Sequence, residues 1–245
     1  MVGYVIEIVL GLPGSGKTSS IVREMVKNEI GHNFYTNILP MKPLETPQMI
    51  YLTPEMIMEE YFKNEKDKKP SFRVNVDYWK KVIKPISVVL DEAHTLLNSR
   101  NSMSTQNKVF NQWASLIRRV LGSSEGGYGK LVLITQRIMA IDCHLREMAT
   151  RIKYYKSHYR KVCSKCGLSF SDCNTNPDPL FKCPGCNGLL KKVDMKIECW
   201  EFKDTESYNM WNDFGHQTFY KHYIIQDIKN YWSYYDTEQW EGLTL

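Results

Sequence analysis

The sequence predicts a doubly wound α/β fold, in which helices cover both faces of a mainly parallel sheet. Residues 4–10, 86–90 and 131–134 form short runs that are almost wholly apolar and rich in β-branched side chains. Such runs are typical of strands buried on both faces of a parallel sheet. Segments with helical features lie between the runs, and strands that alternate with helices predict this fold class.

Further elements are predicted around these strands. Thr53 directly before Pro54 indicates a helix start, with Thr53 as the N-cap and proline in the first turn. The other predicted elements are, in chain order, a helix that follows the loop after the first strand and ends at about residue 29, strands at 33–39 and 48–52, an exposed charged loop at 63–70, a helix at 105–121, and strands at 151–161 and 189–202.

Length and composition are those of an ordinary globular protein. The chain has 245 residues, of which 42% are hydrophobic and 24% charged, enough for one α/β domain and a small appendage. It has no apolar run long enough for a transmembrane helix and no signal-peptide pattern. We therefore expect a cytoplasmic protein, and its seven cysteines are expected to be thiols or metal ligands rather than disulfides.

The net charge of +5 is mild, but it is unevenly distributed. Residues 151–200 hold ten lysines and arginines against four acids, whereas residues 201–245 hold three against eight. The basic segment could contact nucleic-acid phosphates. A solvated, lysine-rich surface explains the same counts equally well.

A phosphate-binding loop follows the first predicted strand. It reads Gly11-Leu12-Pro13-Gly14-Ser15-Gly16-Lys17-Thr18, with the pattern G-x-x-x-x-G-K-T. Its glycines let successive backbone N–H groups face phosphate oxygens, and the next helix adds its positive end. Lys17 is expected to reach the β- and γ-phosphates of ATP, and Thr18 to ligate Mg²⁺.

Two other strand ends supply polar groups that complete such a site. Asp91 follows the strand at 86–90 and is expected to hold the magnesium ion, while Glu92 is the expected general base for the attacking water. Thr135 and Gln136 follow the strand at 131–134, where a polar side chain such as that of Gln136 can contact the γ-phosphate or the attacking water and report its state. The simpler interpretations are a surface glutamate and an ordinary polar strand end.

Arginines are candidates for neutralising charge in the transition state of hydrolysis. Arg118 and Arg119 end the predicted helix at 105–121, and Arg137 and Arg146 are competitors. An arginine of this kind is often supplied by a neighbouring subunit. A lone arginine on a helix is, however, more often a solvated charge.

Together these motifs resemble the FtsK/HerA superfamily of DNA-pumping ATPases. The resemblance lies in Leu131-Val132-Leu133-Ile134-Thr135-Gln136-Arg137, in Ile141-Asp142 and Leu145-Arg146, and in the basic helix end Ile117-Arg118-Arg119. Within it, the chain looks most like the zonula occludens toxin-like branch and the small viral genome-packaging ATPases.

The resemblance implies a RecA/FtsK-like P-loop NTPase core that acts as a hexameric ring and threads DNA using ATP. It also implies viral capsid or assembly proteins as partners and a location in the host cytoplasm or with the virion. The phage assembly members of the branch carry a membrane span, and the lack of an apolar run of that length here favours genome packaging or soluble DNA translocation over secretion of virions through a membrane. Asp91-Glu92-Ala93-His94 also spells a helicase signature, but too little chain follows for a second helicase domain.

Two cysteine pairs predict a structural zinc site. Cys163 and Cys166 form one C-x-x-C knuckle, and Cys183 and Cys186 form another after 16 intervening residues. Four thiolates at this spacing close a tetrahedral shell around Zn²⁺ and leave no position for catalysis. A redox disulfide is the weaker alternative, and Cys143, Cys173 and Cys199 are expected to be spare thiols.

The cysteine module is predicted to be a zinc ribbon at the tip of a long hairpin. The expected organisation is an ATPase core at 1–158, the ribbon insertion at 159–190, and a returning strand with an aromatic-rich extension at 191–245. DNA contact is the hypothesis for the basic side chains around the ribbon, and protein docking is the alternative; these are Lys156, Arg160, Lys161, Lys165, Lys182, Lys191 and Lys192.

The aromatic residues of the extension are too numerous for a disordered tail. We expect them to pack on the core or on a neighbouring subunit, whereas stacking on single-stranded bases is disfavoured by the acidic charge of this segment.

These predictions support an ATP-hydrolysing DNA translocase. The alternatives are an ATP-regulated switch or assembly scaffold, and a small-molecule kinase, against which Glu92 and the Thr135-Gln136 pair argue.

Overall fold

The computed structural model shows a large sheet with helices on both faces. It describes residues 5–27, 31, 33–39, 41, 49–62, 71–93, 105–121, 123–124, 127–177 and 180–235. The predicted doubly wound α/β fold is confirmed. The predicted loop at 63–70 and His94 lie outside the described residues.

Thirteen strands are present in the described part of the chain. They are β1 (Val5–Leu10), β2 (Asn33–Thr36), β3 (Met49–Tyr51), β4 (Met58–Tyr61), β5 (Ser71–Val74), β6 (Ile86–Leu90), β7 (Ser123–Ser124), β8 (Gly127–Tyr128), β9 (Lys130–Ile134), β10 (Arg151–Cys163), β11 (Ser169–Cys173), β12 (Leu190–Phe202) and β13 (Lys221–Ile225).

Nine of these strands form the main sheet, in the order β13-β12-β10-β1-β9-β6-β2-β3, with β11 paired to β10. The strands from β10 to β3 run parallel, while β12 runs antiparallel to both β10 and β13. Because parallel strands end at one edge, the loops after β1, β2, β6 and β9 meet at the carboxyl edge of the sheet.

Seven α-helices connect or cover the described strands. They are α1 (Lys17–Lys27), α2 (Pro54–Ile57), α3 (Val76–Lys81), α4 (Thr105–Ser115), α5 (Ile117–Leu121), α6 (Cys143–Glu147) and α7 (Thr205–Phe214). Two 3₁₀ segments, Ile138–Ala140 and Ile228–Tyr234, complete the description.

The sheet separates two apolar cores because side chains of a strand alternate between its faces. On one face Val9 packs with Ile21 and Met25 of α1 and with Tyr235. On the other face Ile8 belongs to the cluster that includes Trp113 of α4 and Phe202 of β12. All five residues of β6 are buried, as a strand covered on both faces requires.

Three predicted elements differ in detail. The strand expected at 33–39 ends at Thr36, because the side chain of Asn37 bonds to the backbone of Asp91. The helix after Thr53 is a single turn, and the Thr53 side chain makes no capping bond. The helix expected at 105–121 is interrupted at Leu116.

Candidate nucleotide site

The phosphate-binding loop lies at the carboxyl edge, between β1 and α1. Gly14 and Gly16 have φ values of 72° and 84°, which favour glycine. The hydroxyl oxygen of Ser15 is buried and has no hydrogen-bond partner among the described residues. These features fit a loop whose polar groups turn inward to hold phosphate oxygens.

Lys17 is the first residue of α1 and its side chain turns back over the loop. Its ammonium group donates hydrogen bonds to the carbonyl oxygens of Gly11 at 2.8 Å and Leu12 at 3.2 Å. Burial lowers the pKa of Lys17, against the opposing influence of Glu92 and Asp91. The predicted phosphate-binding lysine is therefore held inside the loop.

Thr18 and Asp91 come together from opposite sides of this edge. The Thr18 hydroxyl donates to Asp91 Oδ2 at 2.7 Å. Burial raises the pKa of Asp91, and the hydrogen bond from Thr18 opposes that shift. A hydroxyl and a carboxylate are oxygen ligands that suit Mg²⁺, so the pair fits the predicted magnesium site.

Asn37 is a site residue that sequence reasoning missed. Its side-chain amide donates to the Asp91 carbonyl oxygen at 2.9 Å, and its Oδ1 accepts from the Asp91 N–H at 2.7 Å. These two bonds fix the backbone of the acidic residue from the end of β2. The available signal was a polar residue directly after a predicted strand, which is too common to single out.

Glu92 follows Asp91 in an unusual conformation. Its φ of 47° lies in the left-handed region, which is uncommon for a residue other than glycine and concentrates at functional sites. Its N–H donates to Asp91 Oδ1 at 2.9 Å, and the residue is exposed. The predicted general base thus faces solvent beside the partly buried carboxylate of Asp91.

Thr135 and Gln136 lie between the loop and the acidic pair, because β9 is placed between β1 and β6. Thr135 is buried, and its N–H donates to the Val9 carbonyl oxygen at 2.9 Å, which continues the pairing with β1. Gln136 is exposed at the edge. The strand order therefore brings Thr135 and Gln136 to the same edge as the other site residues.

A known protein family matches the part of the chain that contains the nucleotide site. The family model described as Zonular occludens toxin (Zot) matches residues 5–180, which include the loop, the acidic strand end and the first cysteine pair. The chain belongs to the Zot family. It is a P-loop ATPase, as its sequence predicted.

Solved structures with similarity to this Zot-family chain share little sequence with it. The N-terminal domain of zonular occludens toxin from Neisseria meningitidis is 17% identical, with a TM-score of 0.48, over 96% of this chain and 100% of that chain. The genome packaging NTPase B204 from Sulfolobus turreted icosahedral virus 2, in complex with AMPPCP, is 12% identical, with a TM-score of 0.37, over 63% and 75%. Among curated proteins no match was found.

The candidate arginines of the Zot-family chain occupy different environments. Arg119, in α5, and Arg137 are both exposed. The side chain of Arg118 lies outside the described residues. Arg146 is anchored within its own subunit, because its Nε donates to the Ile141 carbonyl oxygen at 3.1 Å. Among the residues whose side chains the structure describes, Arg119 and Arg137 are therefore the exposed candidates for an arginine that acts on a neighbouring subunit.

The four predicted knuckle cysteines converge at the tip of the β10–β12 hairpin. Their sulfur atoms all lie within 4.8 Å of one another, with Cys163 Sγ 3.4 Å from Cys186 Sγ and Cys166 Sγ 3.6 Å from Cys183 Sγ. A tetrahedron with zinc–sulfur bonds of about 2.3 Å has edges of about 3.8 Å. The arrangement therefore fits a single tetrahedral ion.

Backbone geometry at the two knuckles supports the same fit. The residue after each second cysteine is left-handed, with φ values of 76° at Gly167 and 58° at Asn187. The Lys165 N–H donates to the Cys163 sulfur at 3.4 Å. A Cβ added to Gly188 would lie 2.9 Å from that sulfur, so a larger residue would crowd the cluster.

The basic side chains around the cysteine module are not equivalent. Lys161 is buried, and its ammonium lies 2.7 Å from Asp172 Oδ2. Its inclusion among surface DNA contacts was wrong, because this cation is enclosed and paired within the hairpin. Arg160 pairs with Asp194, whereas Lys165 and Lys182 are exposed.

Aromatic residues of the C-terminal extension pack on the core, as one of the predicted alternatives required. Tyr208 and Trp211 contact the cluster around Phe202. Tyr235 is buried against α1, and its hydroxyl lies 2.6 Å from the Ser19 hydroxyl.

Among the described residues, no helix has the length and apolar character that crossing a bilayer requires.

Proposed function

We propose that this Zot-family ATPase is a DNA translocase, working as a hexameric ring in viral genome packaging or virion assembly. The observation that carries the proposal is the convergence of Lys17, the Thr18–Asp91 pair, Glu92 and Gln136 at one edge of the sheet. This constellation serves hydrolysis, since it offers phosphate binding, a metal site and a base.

The proposed mechanism assigns one task to each group. Lys17 binds the β- and γ-phosphates, and Thr18 and Asp91 hold Mg²⁺, which when bound neutralises developing phosphate charge. Glu92 orients and polarises the attacking water, and it is exposed where water can reach it. Gln136, between the loop and the acids, contacts the γ-phosphate.

An arginine from a neighbouring subunit completes the site in this proposal. Arg119, which is exposed on α5, is the proposed residue because the basic helix end that contains it is placed like the trans-acting arginine of the FtsK/HerA superfamily, and Arg118 lies beside it in sequence. A positive charge supplied across the interface stabilises the transition state and makes turnover depend on ring assembly.

DNA is the proposed substrate because of the motif resemblance and the basic segment at 151–200. The partners would be viral capsid or assembly proteins, and the site of action the host cytoplasm or the assembling virion. The alternative is an ATP-regulated switch or assembly scaffold. The packing of the cysteine hairpin against the phosphate loop also supports that alternative.

We also propose that Cys163, Cys166, Cys183 and Cys186 bind one structural Zn²⁺. The convergence of four sulfurs supports this, and the ion would supply folding free energy to a short, loop-rich module. The corresponding organisation is an ATPase core at 1–158, a zinc ribbon at 159–190, and a returning strand with its extension at 191–245.

Phosphate release from ATP and Mg²⁺, measured with and without duplex and single-stranded DNA, tests the proposal. A translocase is expected to release free phosphate faster when DNA is present. Turnover that no DNA changes would favour the switch or scaffold, and transfer of the phosphate to a small molecule would favour a kinase.

A further inference from the structure

The hairpin that carries the cysteine module leaves the sheet beside the phosphate loop. Leu10, the last residue of β1, is paired with Tyr154 in β10. The rest of β10 therefore continues past the end of β1, at the level of the loop, toward Cys163. Residues of the hairpin are thereby brought against a loop that precedes them by more than 130 positions in sequence.

Contacts between the hairpin and the loop involve three of the loop glycines. The Ser157 hydroxyl, which is fully buried, donates to the Gly14 carbonyl oxygen at 2.8 Å. A Cβ added to Gly11 would lie 2.5 Å from the Tyr155 carbonyl oxygen. These close approaches leave no room for the loop to shift toward β10 without moving the hairpin.

The returning strand makes the third contact. A Cβ added to Gly16 would lie 2.1 Å from the Cδ1 atom of Ile197, which is itself buried in β12. We call the contact of Tyr155, Ser157 and Ile197 with the loop glycines the hairpin seam.

Ser157 is also tied to the cysteine module. Its N–H donates to Asn174 Oδ1 at 3.0 Å, and its carbonyl oxygen accepts from the Asn174 N–H at 3.1 Å. Asn174 lies between the two cysteine pairs, next to Cys173. One residue thus bonds through its backbone to the module and through its side chain to the phosphate loop.

Peptide geometry explains what the Ser157 hydroxyl does. The carbonyl of Gly14 and the N–H of Ser15 belong to one planar trans peptide unit and point in opposite directions. Holding the carbonyl toward Ser157 fixes the orientation of this peptide unit, whose Ser15 N–H closes a turn by donating to the Leu12 carbonyl oxygen at 3.1 Å. The Ser157 hydroxyl therefore helps to hold the loop in the curled conformation with which such loops bind phosphate.

We propose that Ser157 is a positioning residue for the nucleotide site, and that the hairpin seam couples the cysteine module to the phosphate loop. The coupling is reciprocal, because a ligand that favours one arrangement of the loop favours the matching arrangement of the hairpin. Nucleotide binding would then order the cysteine module. In return, binding of the proposed Zn²⁺ to the module would alter the affinity of the loop for nucleotide. The inference rests on the proposed function, since it requires nucleotide at the loop.

The test compares the full chain with Ser157→Ala and with the control Ser164→Ala. Ser164 lies on the same hairpin, and its hydroxyl donates to the Leu189 carbonyl oxygen at 3.1 Å, away from the loop. Affinity for a non-hydrolysable ATP analogue with Mg²⁺ is measured by calorimetry. One hydrogen bond is worth a factor of roughly three to ten, so Ser157→Ala should weaken binding by that factor. Ser164→Ala should change it less than twofold.

Two further readouts separate positioning from general destabilisation. Ser157→Ala should raise the KM for ATP by the same factor and change kcat little, because the lost contact acts on bound phosphate before and during reaction. Nucleotide should slow amide hydrogen exchange of residues 163–186 in the unaltered chain and in Ser164→Ala, but not in Ser157→Ala. If Ser157→Ala does not fold, the same measurements are made on Ile197→Val, which perturbs the hairpin seam more gently.

The outcomes distinguish this inference from the proposed function. An unaltered chain that fails to bind the analogue would overturn both. Binding by the unaltered chain, with equal affinity and equal module protection in Ser157→Ala, would overturn the positioning role and leave the ATPase standing.

Discussion

Asn37 and Asp91 form a reciprocal pair of hydrogen bonds, in which one side-chain amide binds both the N–H and the carbonyl oxygen of the acidic residue. The pair links the end of β2 to the end of β6 at the nucleotide site. The Thr18 hydroxyl then meets a carboxylate whose backbone is already fixed.

Replacing Asn37 should therefore impair catalysis as well as stability. Asn37→Ala leaves two partly buried backbone groups of Asp91 without their partner, at a cost of roughly 2 kcal/mol in unfolding free energy. We expect kcat to fall roughly tenfold, since misplacement of a catalytic group is costly. Asn33→Ala, at the opposite end of β2, is the control, and equal kcat in the two variants would contradict the positioning role.

The cysteine cluster predicts one zinc ion per chain. Cys183→Ser should lose the metal and lower the melting temperature, because three thiolates no longer close the shell. Metal analysis by mass spectrometry and a thermal melt provide the measurement. Cys173→Ser is the matched control, since that thiol lies outside the cluster and should keep the ion. Purified protein without zinc, folded normally, would refute the site.

The buried pair of Glu7 and Lys153 predicts a loss of stability at low pH. Burial would raise the pKa of Glu7, but the Lys153 ammonium at 2.9 Å, with Lys130 and Arg151, holds it below its ordinary value. A carboxylate with a lowered pKa stabilises the fold above the pKa of the unfolded chain, near 4.5, and loses that contribution as the pH falls through the folded value.

Denaturant unfolding between pH 7 and about pH 3 tests this expectation, with the window set by the ordinary carboxyl pKa. Glu7→Gln should lower the unfolding free energy at neutral pH by roughly 3 kcal/mol and flatten the acid limb, because it removes the buried carboxylate that pairs with the buried Lys153 ammonium. Glu24→Gln removes the half-exposed partner of Lys153 and keeps the buried pair, so its loss should be smaller. A profile unchanged by Glu7→Gln would contradict the account.

Local sequence patterns were enough to predict the phosphate-binding loop, the strands β6 and β9, and the pairing of the cysteines in two knuckles. Each depends on neighbours within a few positions: glycines and Lys17 after a strand, acids after a buried run, or two cysteines three apart. The order of the strands in the sheet was not predicted, because the placement of β9 between β1 and β6 depends on packing across the whole chain.

Long-range polar contacts were not predictable in the same way. Ser157 contacts a residue 143 positions away, and Asn37 contacts one 54 positions away. Glu7 stood in an otherwise apolar strand, and nothing near it in sequence pointed to Lys153 as its partner. Serine and asparagine are frequent at strand ends and loops, so their type alone carries little information about such partners.

Displacement of a third strand from a DNA triplex tests the central claim most directly, because it reports movement along DNA rather than hydrolysis alone. The chain, with ATP and Mg²⁺, is expected to release the third strand, while Glu92→Gln binds nucleotide and releases none. Hydrolysis that DNA stimulates without any strand release would contradict translocation and identify a nucleotide-driven switch.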